Sequence, residues 1–103
     1  MAWVKVAESV EVDEGRVNAF DAGARRVLIF RTDAGLSALD GICTHETADL
    51  GLGFLTDGRI TCPLHLSQFD IKTGEVYNPP AERPLASYPV KEEHGGVWVD
   101  LPE

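Results

Sequence analysis

At 103 residues, with 44% hydrophobic and 25% charged positions, the chain has an ordinary globular composition and room for one modest core, so it reads as one domain, 1–103. Nine Lys and Arg against seventeen Asp and Glu leave a formal charge of -8, which would repel a nucleic-acid backbone and an anionic membrane surface alike. No segment approaches the roughly 18 apolar residues of a membrane span, and the N-terminus lacks a basic stretch followed by a long apolar run, so a cytoplasmic location is expected.

Apolar residues come in short runs bounded by Gly, Asp and Pro, and no helical stripe lasts three turns, which predicts an all-β chain. Trp3-Val4-Lys5-Val6 predicts the first strand, and a turn signal follows at Asp13-Glu14-Gly15. Val27-Leu28-Ile29-Phe30 predicts a second strand, closed by Thr32-Asp33-Ala34-Gly35. Between about Leu39 and Pro84 the hydrophobic pattern loses regularity and Gly and Pro accumulate. Inside that stretch Asp57-Gly58 suits a tight hairpin, and Lys72-Thr73-Gly74 marks a further turn. Glu93-His94-Gly95-Gly96 then leads into the last strand, Val97-Trp98-Val99-Asp100-Leu101. Phe54, Phe69, Trp3 and Trp98 are expected in the core rather than as electron relays. His94 reads as a solvated loop residue, and Lys91-Glu92-Glu93 as a solvated face.

The irregular stretch holds the chemistry. Cys43-Thr44-His45 and Cys62-Pro63-Leu64-His65, sixteen residues apart, use both cysteines and two of the three histidines. Cysteines in a reducing compartment are more often ligands than disulfide partners, and each of these sits beside a histidine. Two thiolates and two imidazoles from two loops make a four-ligand metal site, and the order Cys-His then Cys-His suits two irons better than one zinc. A structural zinc module stays open as the alternative, although zinc fingers favour Cys-x2–4-Cys followed by His-x3–5-His. For a 2Fe-2S cluster, two His in place of two Cys remove two negative charges and ease reduction, so such centres lie at about −150 to +300 mV.

The pattern Cys43-x-His45 with Cys62-x-x-His65 resembles the Rieske iron-sulfur family, and the likeness covers effectively the whole chain. The resemblance implies an antiparallel β-sandwich with a smaller cluster-binding lobe, about 40–83, made of two Cys-His loops and a proline loop. It also implies one Rieske-type 2Fe-2S cluster, with Cys43 and Cys62 on the inner iron and His45 and His65 on the outer one, near solvent. Asn78-Pro79-Pro80-Ala81 falls where the family has its proline loop, and Leu50 and Gly53 match the first loop. Gln68-Phe69-Asp70 and Thr73-Gly74-Glu75-Val76 are similar to the segment after the second motif in soluble Rieske ferredoxins.

Relatives of the bc type add a cysteine to each loop, whereas this chain has Ala48 and Leu64 there, which forbids that disulfide. The better likeness is to the small ferredoxins of bacterial aromatic-ring-hydroxylating dioxygenase systems. That implies a one-electron carrier, without catalysis of its own, between a flavoprotein NAD(P)H-dependent ferredoxin reductase and a terminal oxygenase. A ferredoxin of another oxygenase system, such as a diiron monooxygenase, is the nearer alternative. A carrier that shows one tip to two partners is expected to be monomeric. Some positions depart from the family: Glu46 and Thr47 stand where Gly is frequent, Leu66 replaces a usual Gly, and Phe69 replaces the Tyr of high-potential relatives. Ser67 keeps the position from which a hydroxyl bonds the cluster, so a potential near the lower end of the range is expected, lifted slightly by Ser67. Glu46 beside His45 is expected to disfavour the electron and favour an imidazole proton.

Overall fold

Val27-Leu28-Ile29-Phe30 is apolar at every position, so a strand made of it has no polar face to offer water. It forms the middle of the protein. The computed structural model describes residues 2–44, 48–64 and 66–102. Its strands are β1 (Ala2–Glu8), β2 (Asn18–Ala22), β3 (Arg25–Thr32), β4 (Gly35–Asp40), β5 (Phe54–Thr56), β6 (Arg59–Thr61), β7 (Gln68–Asp70), β8 (Ser87–Tyr88), β9 (Val90–Glu93) and β10 (Gly96–Leu101). They pair antiparallel in three sheets, ordered β1-β10-β9, β2-β3-β4-β8 and β5-β6-β7.

The sheet containing β3 is the middle layer. Successive side chains of a strand point to opposite faces, and β3 divides accordingly. Val27 and Ile29 join Ala7, Val97, Val99 and Leu101 in one core, beneath the β1-β10-β9 sheet. Leu28 and Phe30 join Leu39, Leu50, Ile60, Phe69 and both cysteines in the other, beneath the β5-β6-β7 sheet. The first core is that of a β-sandwich and the second that of the expected smaller lobe.

Arg31 fastens the sandwich from the side. Its Nε donates to the Val12 carbonyl at 3.0 Å, one terminal nitrogen donates to the Ser9 carbonyl at 3.4 Å, and both terminal nitrogens reach the Glu92 carboxylate at 3.2 and 2.9 Å. The guanidinium holds the Glu92 carboxyl below its ordinary range, by hydrogen bonding first and by its charge as well.

The sequence-predicted strands lie within β1, β3 and β10. Asp57 and Gly58, at φ 50° and 76°, join β5 to β6, and His94 and Gly95, at φ 52° and 77°, join β9 to β10. Both are two-residue turns with positive φ at each position, the geometry that suits a right-twisted hairpin. His94 is exposed, as expected. Phe69 is wholly buried, but the other three aromatics expected in the core are not part of it: Trp98 is half-buried and alternates along β10 with the core residues Val97 and Val99. Trp3 is 43% exposed on the outer face of the β1-β10-β9 sheet, with the Lys91 ammonium 4.4 Å from its ring centre. Phe54 is 57% exposed, because Leu55 is the residue of β5 that packs against the lobe core.

Candidate metal centre

Both cysteine motifs are loop tips carried by strands, and both loops close in the same way. β4 delivers Gly41, whose N–H donates to the Arg26 carbonyl, and the chain returns so that Leu50 N–H donates to the Gly41 carbonyl, each at 2.8 Å. Inside that frame Cys43 N–H donates to the Ala48 carbonyl at 2.9 Å. The second motif is the connection between β6 and β7, closed at its base by the Thr61–Gln68 pair, and Cys62 N–H donates to the Ser67 carbonyl at 2.8 Å. In each loop the cysteine amide is therefore tied to the carbonyl five residues on, and the cysteine is fixed at the rim of the loop. Asp49 steadies the first loop, its carboxylate accepting Gly51 N–H at 2.8 Å and facing Arg26 Nε at 3.4 Å.

A third segment stitches the two loops together. Thr44 of the first loop donates from its hydroxyl to the Arg83 carbonyl at 2.7 Å. In the second, Ser67 Oγ accepts Ala81 N–H at 3.0 Å, and the Asn78 side chain reaches both Gln68 and Leu66. Residues 78–83 thus bond to both loops, at the place in the chain where the proline loop was expected. A close approach secures the far side. Any Cβ on Gly53 would collide with the Thr61 carbonyl oxygen and crowd that of Leu50, so β5 can lie against β6 only with glycine there.

Cys43 and Cys62 are 4% and 2% exposed, belong to one buried cluster with Ala48, Leu50, Phe69 and Ala81, and are not joined by a disulfide. Two buried thiols from two similarly tied loops, within one hydrophobic core cluster, fit half of the donor set of an iron–sulfur cluster. His45 and His65, expected from the sequence to supply the remaining donors, lie outside the described residues, as do Glu46 and Thr47. The bc-type staple is absent structurally as well: Ala48 is buried, whereas Leu64 is 49% exposed.

Leu66 adopts φ 63°, the left-handed region in which glycine is at ease, which gives a physical reason for glycine's frequency at this place in the resembling family. Its side chain is 60% exposed, and with Leu64 it flanks His65 in the sequence by an apolar pair open to solvent. On the outer face of the same sheet Arg59 lies 4.0 Å over the Tyr77 ring, and Tyr77 Oη donates to Asp70 at 2.9 Å. That bond to Asp70 pushes the Tyr77 phenol above its ordinary value. Sequence reading quoted Thr44 and Asn78 only as members of their motifs. Their cross-loop bonds span 39, 10 and 12 residues, and nothing local signals them.

Residues 2–89 match the Rieske [2Fe-2S] domain. The chain belongs to that family. The Rieske domain carries one 2Fe-2S cluster, and the buried cysteine pair suits it. Over 99 residues the chain is 32% identical to the naphthalene 1,2-dioxygenase system ferredoxin component of Pseudomonas aeruginosa, covering 96% of this chain and 95% of that one. It is 35% identical over 94 residues to the 3-phenylpropionate/cinnamic acid dioxygenase ferredoxin subunit of Shigella flexneri, covering 90% and 88%. Among solved structures it superposes on a chain of the complex of reduced oxygenase and oxidized ferredoxin in carbazole 1,9a-dioxygenase. There the TM-score is 0.84 at 30% identity, over 94% of this chain and 91% of that one. The all-β Rieske architecture expected from the sequence is thereby established.

Proposed function

We propose that this protein is a one-electron carrier that takes electrons from a flavoprotein NAD(P)H-dependent ferredoxin reductase and delivers them to a terminal aromatic-ring-hydroxylating oxygenase, with no catalysis of its own. The observation that supports it best is the near end-to-end likeness to dioxygenase ferredoxin components, together with the paired cysteine loops. Residues 1–103 act as one domain in this reading, with a cluster lobe of about 40–83. Cys43 and Cys62 hold one iron, and His45 and His65 hold the other. When bound, the cluster supplies reversible one-electron chemistry at a fixed site.

The remaining work falls to the chain. The loop closures at Ala48 and Ser67 and the covering segment 78–83 keep the cysteines fixed and dry. Leu64 and Leu66 offer partners a small apolar contact, of the size class that suits brief encounters. Acid excess steers those encounters toward basic surfaces. Among the described residues no helix is long and apolar enough to cross a membrane; a cytoplasmic monomer fits this reading.

An EPR-monitored redox titration of the purified protein, with iron, sulfide and zinc analysis, tests the centre. A Rieske-type signal with two irons and two sulfides is expected, and a colourless protein holding zinc would overturn the reading. Reduction by a flavoprotein reductase followed by reoxidation with a ring-hydroxylating oxygenase tests the role. Leu64→Ser, which removes the apolar contact without adding a charge beside His65, should slow both transfers without moving the potential, and unchanged rates would remove that contact from the account.

A further inference from the structure

We propose that Asn78 is a positioning residue for the metal centre, one that fixes the backbone of the returning half of the second cysteine loop, Leu66 to Gln68, directly after the proposed ligand His65 in the chain. The inference deepens the carrier reading and rests on it for the identity of the metal. Asn78 Oδ1 accepts Gln68 N–H at 2.8 Å, and Asn78 Nδ2 donates to the Leu66 carbonyl at 3.3 Å. One planar amide thereby bridges the residues on either side of Ser67. Its orientation is fixed by chemistry, since turning it over would set an N–H group against an N–H group.

The segment it grips is the strained one. Three described residues other than glycine have positive φ: Asp57, Leu66 and His94. Asp57 and His94 sit in hairpin turns, each followed by a glycine that shares the reversal. Leu66 has no such neighbour, and it stands next to a proposed iron ligand. A residue held in this region persists only where its surroundings over-determine it. The described bonds on the Leu66 backbone are two: its N–H donates to the Cys62 carbonyl at 3.2 Å, and its carbonyl accepts from Asn78. Losing the Asn78 bond leaves the carbonyl end of a strained residue without its clamp, one step from His65. The same amide also keeps Ser67 in register with Ala81, since Asn78 takes the N–H of Gln68 while Ser67 Oγ accepts the N–H of Ala81, three residues on from Asn78 in the same covering segment.

A purely structural asparagine would lower the melting temperature and nothing else. A positioning asparagine changes the centre itself. Asn78→Ala should release the cluster to a chelator on the order of 10-fold faster, the scale on which outer partners of metal ligands act, and should broaden the EPR line shape. Adding Leu66→Gly, which adopts positive φ without strain, should recover most of the lost retention, a non-additive result for two contacting residues. Asn78→Asp keeps the acceptor for Gln68 N–H but cannot donate to Leu66, so it should fall between the parent and Asn78→Ala; it also serves if Asn78→Ala fails to fold. Hydrogen exchange by mass spectrometry at Gln68 should quicken in Asn78→Ala whichever metal is bound. That readout separates the failure of this inference from the failure of the carrier reading. Parent-like release and line shape in Asn78→Ala, strictly additive effects with Leu66→Gly, or unchanged exchange at Gln68 would each overturn it.

Discussion

Replacing Ser67 by alanine removes one oxygen from a site that is 1% exposed, and the structure separates two consequences. The first is structural. Ser67 Oγ is the acceptor for Ala81 N–H at 3.0 Å, and Ala81 is itself buried, so the substitution strands a donor where water does not reach. An unsatisfied buried donor costs about 1–3 kcal/mol. In a domain of this size each kcal/mol moves the melting temperature by about 4–8 °C. The second consequence is electronic. With Oγ accepting from Ala81, the hydroxyl proton is not committed to any described residue and is available to the cluster. A hydrogen bond strengthens by about 1 kcal/mol when its acceptor gains charge, and a one-electron couple moves by about 59 mV for each tenfold change. Ser67→Ala should therefore lower the midpoint potential by about 40 mV, read by EPR titration, alongside a lowered melting temperature. A lowered melting temperature with an unchanged potential would refute the electronic half and leave the hydroxyl as a structural acceptor alone. An unchanged melting temperature would refute the claim that Ala81 depends on it.

Phe69→Tyr introduces, at a wholly buried position, the hydroxyl that high-potential relatives carry; the potential should rise by an amount comparable to the fall in Ser67→Ala, and a fall would show that the new group points away from the centre. Gly53→Ala should destabilise by about 1–3 kcal/mol in urea titration, because the atoms it meets are backbone carbonyls that cannot swing aside; a neutral result would mean that β5 can move off β6. Glu92 has its carboxyl lowered by Arg31, so its contribution is fully present above the unfolded value of about 4.3 and is lost as pH falls through the folded value. Glu92→Gln should accordingly be less stable than the parent at pH 7 and converge with it in acid, and a gap that persists in acid would show that charge is not its origin.

The reading from sequence succeeded where the signal is short-range. Val27-Leu28-Ile29-Phe30 announces a strand because every residue is apolar, and Asp57-Gly58 announces a tight turn because its dihedral requirement is carried by two residues. The cysteine motifs are likewise local, each confined to four residues or fewer. What escaped is long-range or too brief to show a period. β5, β6 and β7 are three residues each, less than two cycles of alternation. Trp3 and Phe54 were expected inside because aromatics usually are, yet a small domain has too little interior for all of them, and the choice between Phe54 and Leu55 depends on which face of β5 meets β6's neighbours. Thr44 and Asn78 carry bonds that depend on how three separate segments meet. Ser67 was singled out by resemblance, but its acceptor role toward Ala81 was visible only in three dimensions.

The shared strand β3 has a consequence for how the protein comes apart. Two hydrophobic interiors lie back to back on one backbone ribbon, so neither can be exposed without loosening a sheet that the other also requires. The metal-carrying end and the distal end should therefore melt together, and occupancy at one should be felt as stiffness at the other. Slowed hydrogen exchange around Val97 and Val99 on metal loading would be its signature, far from any group that touches the metal.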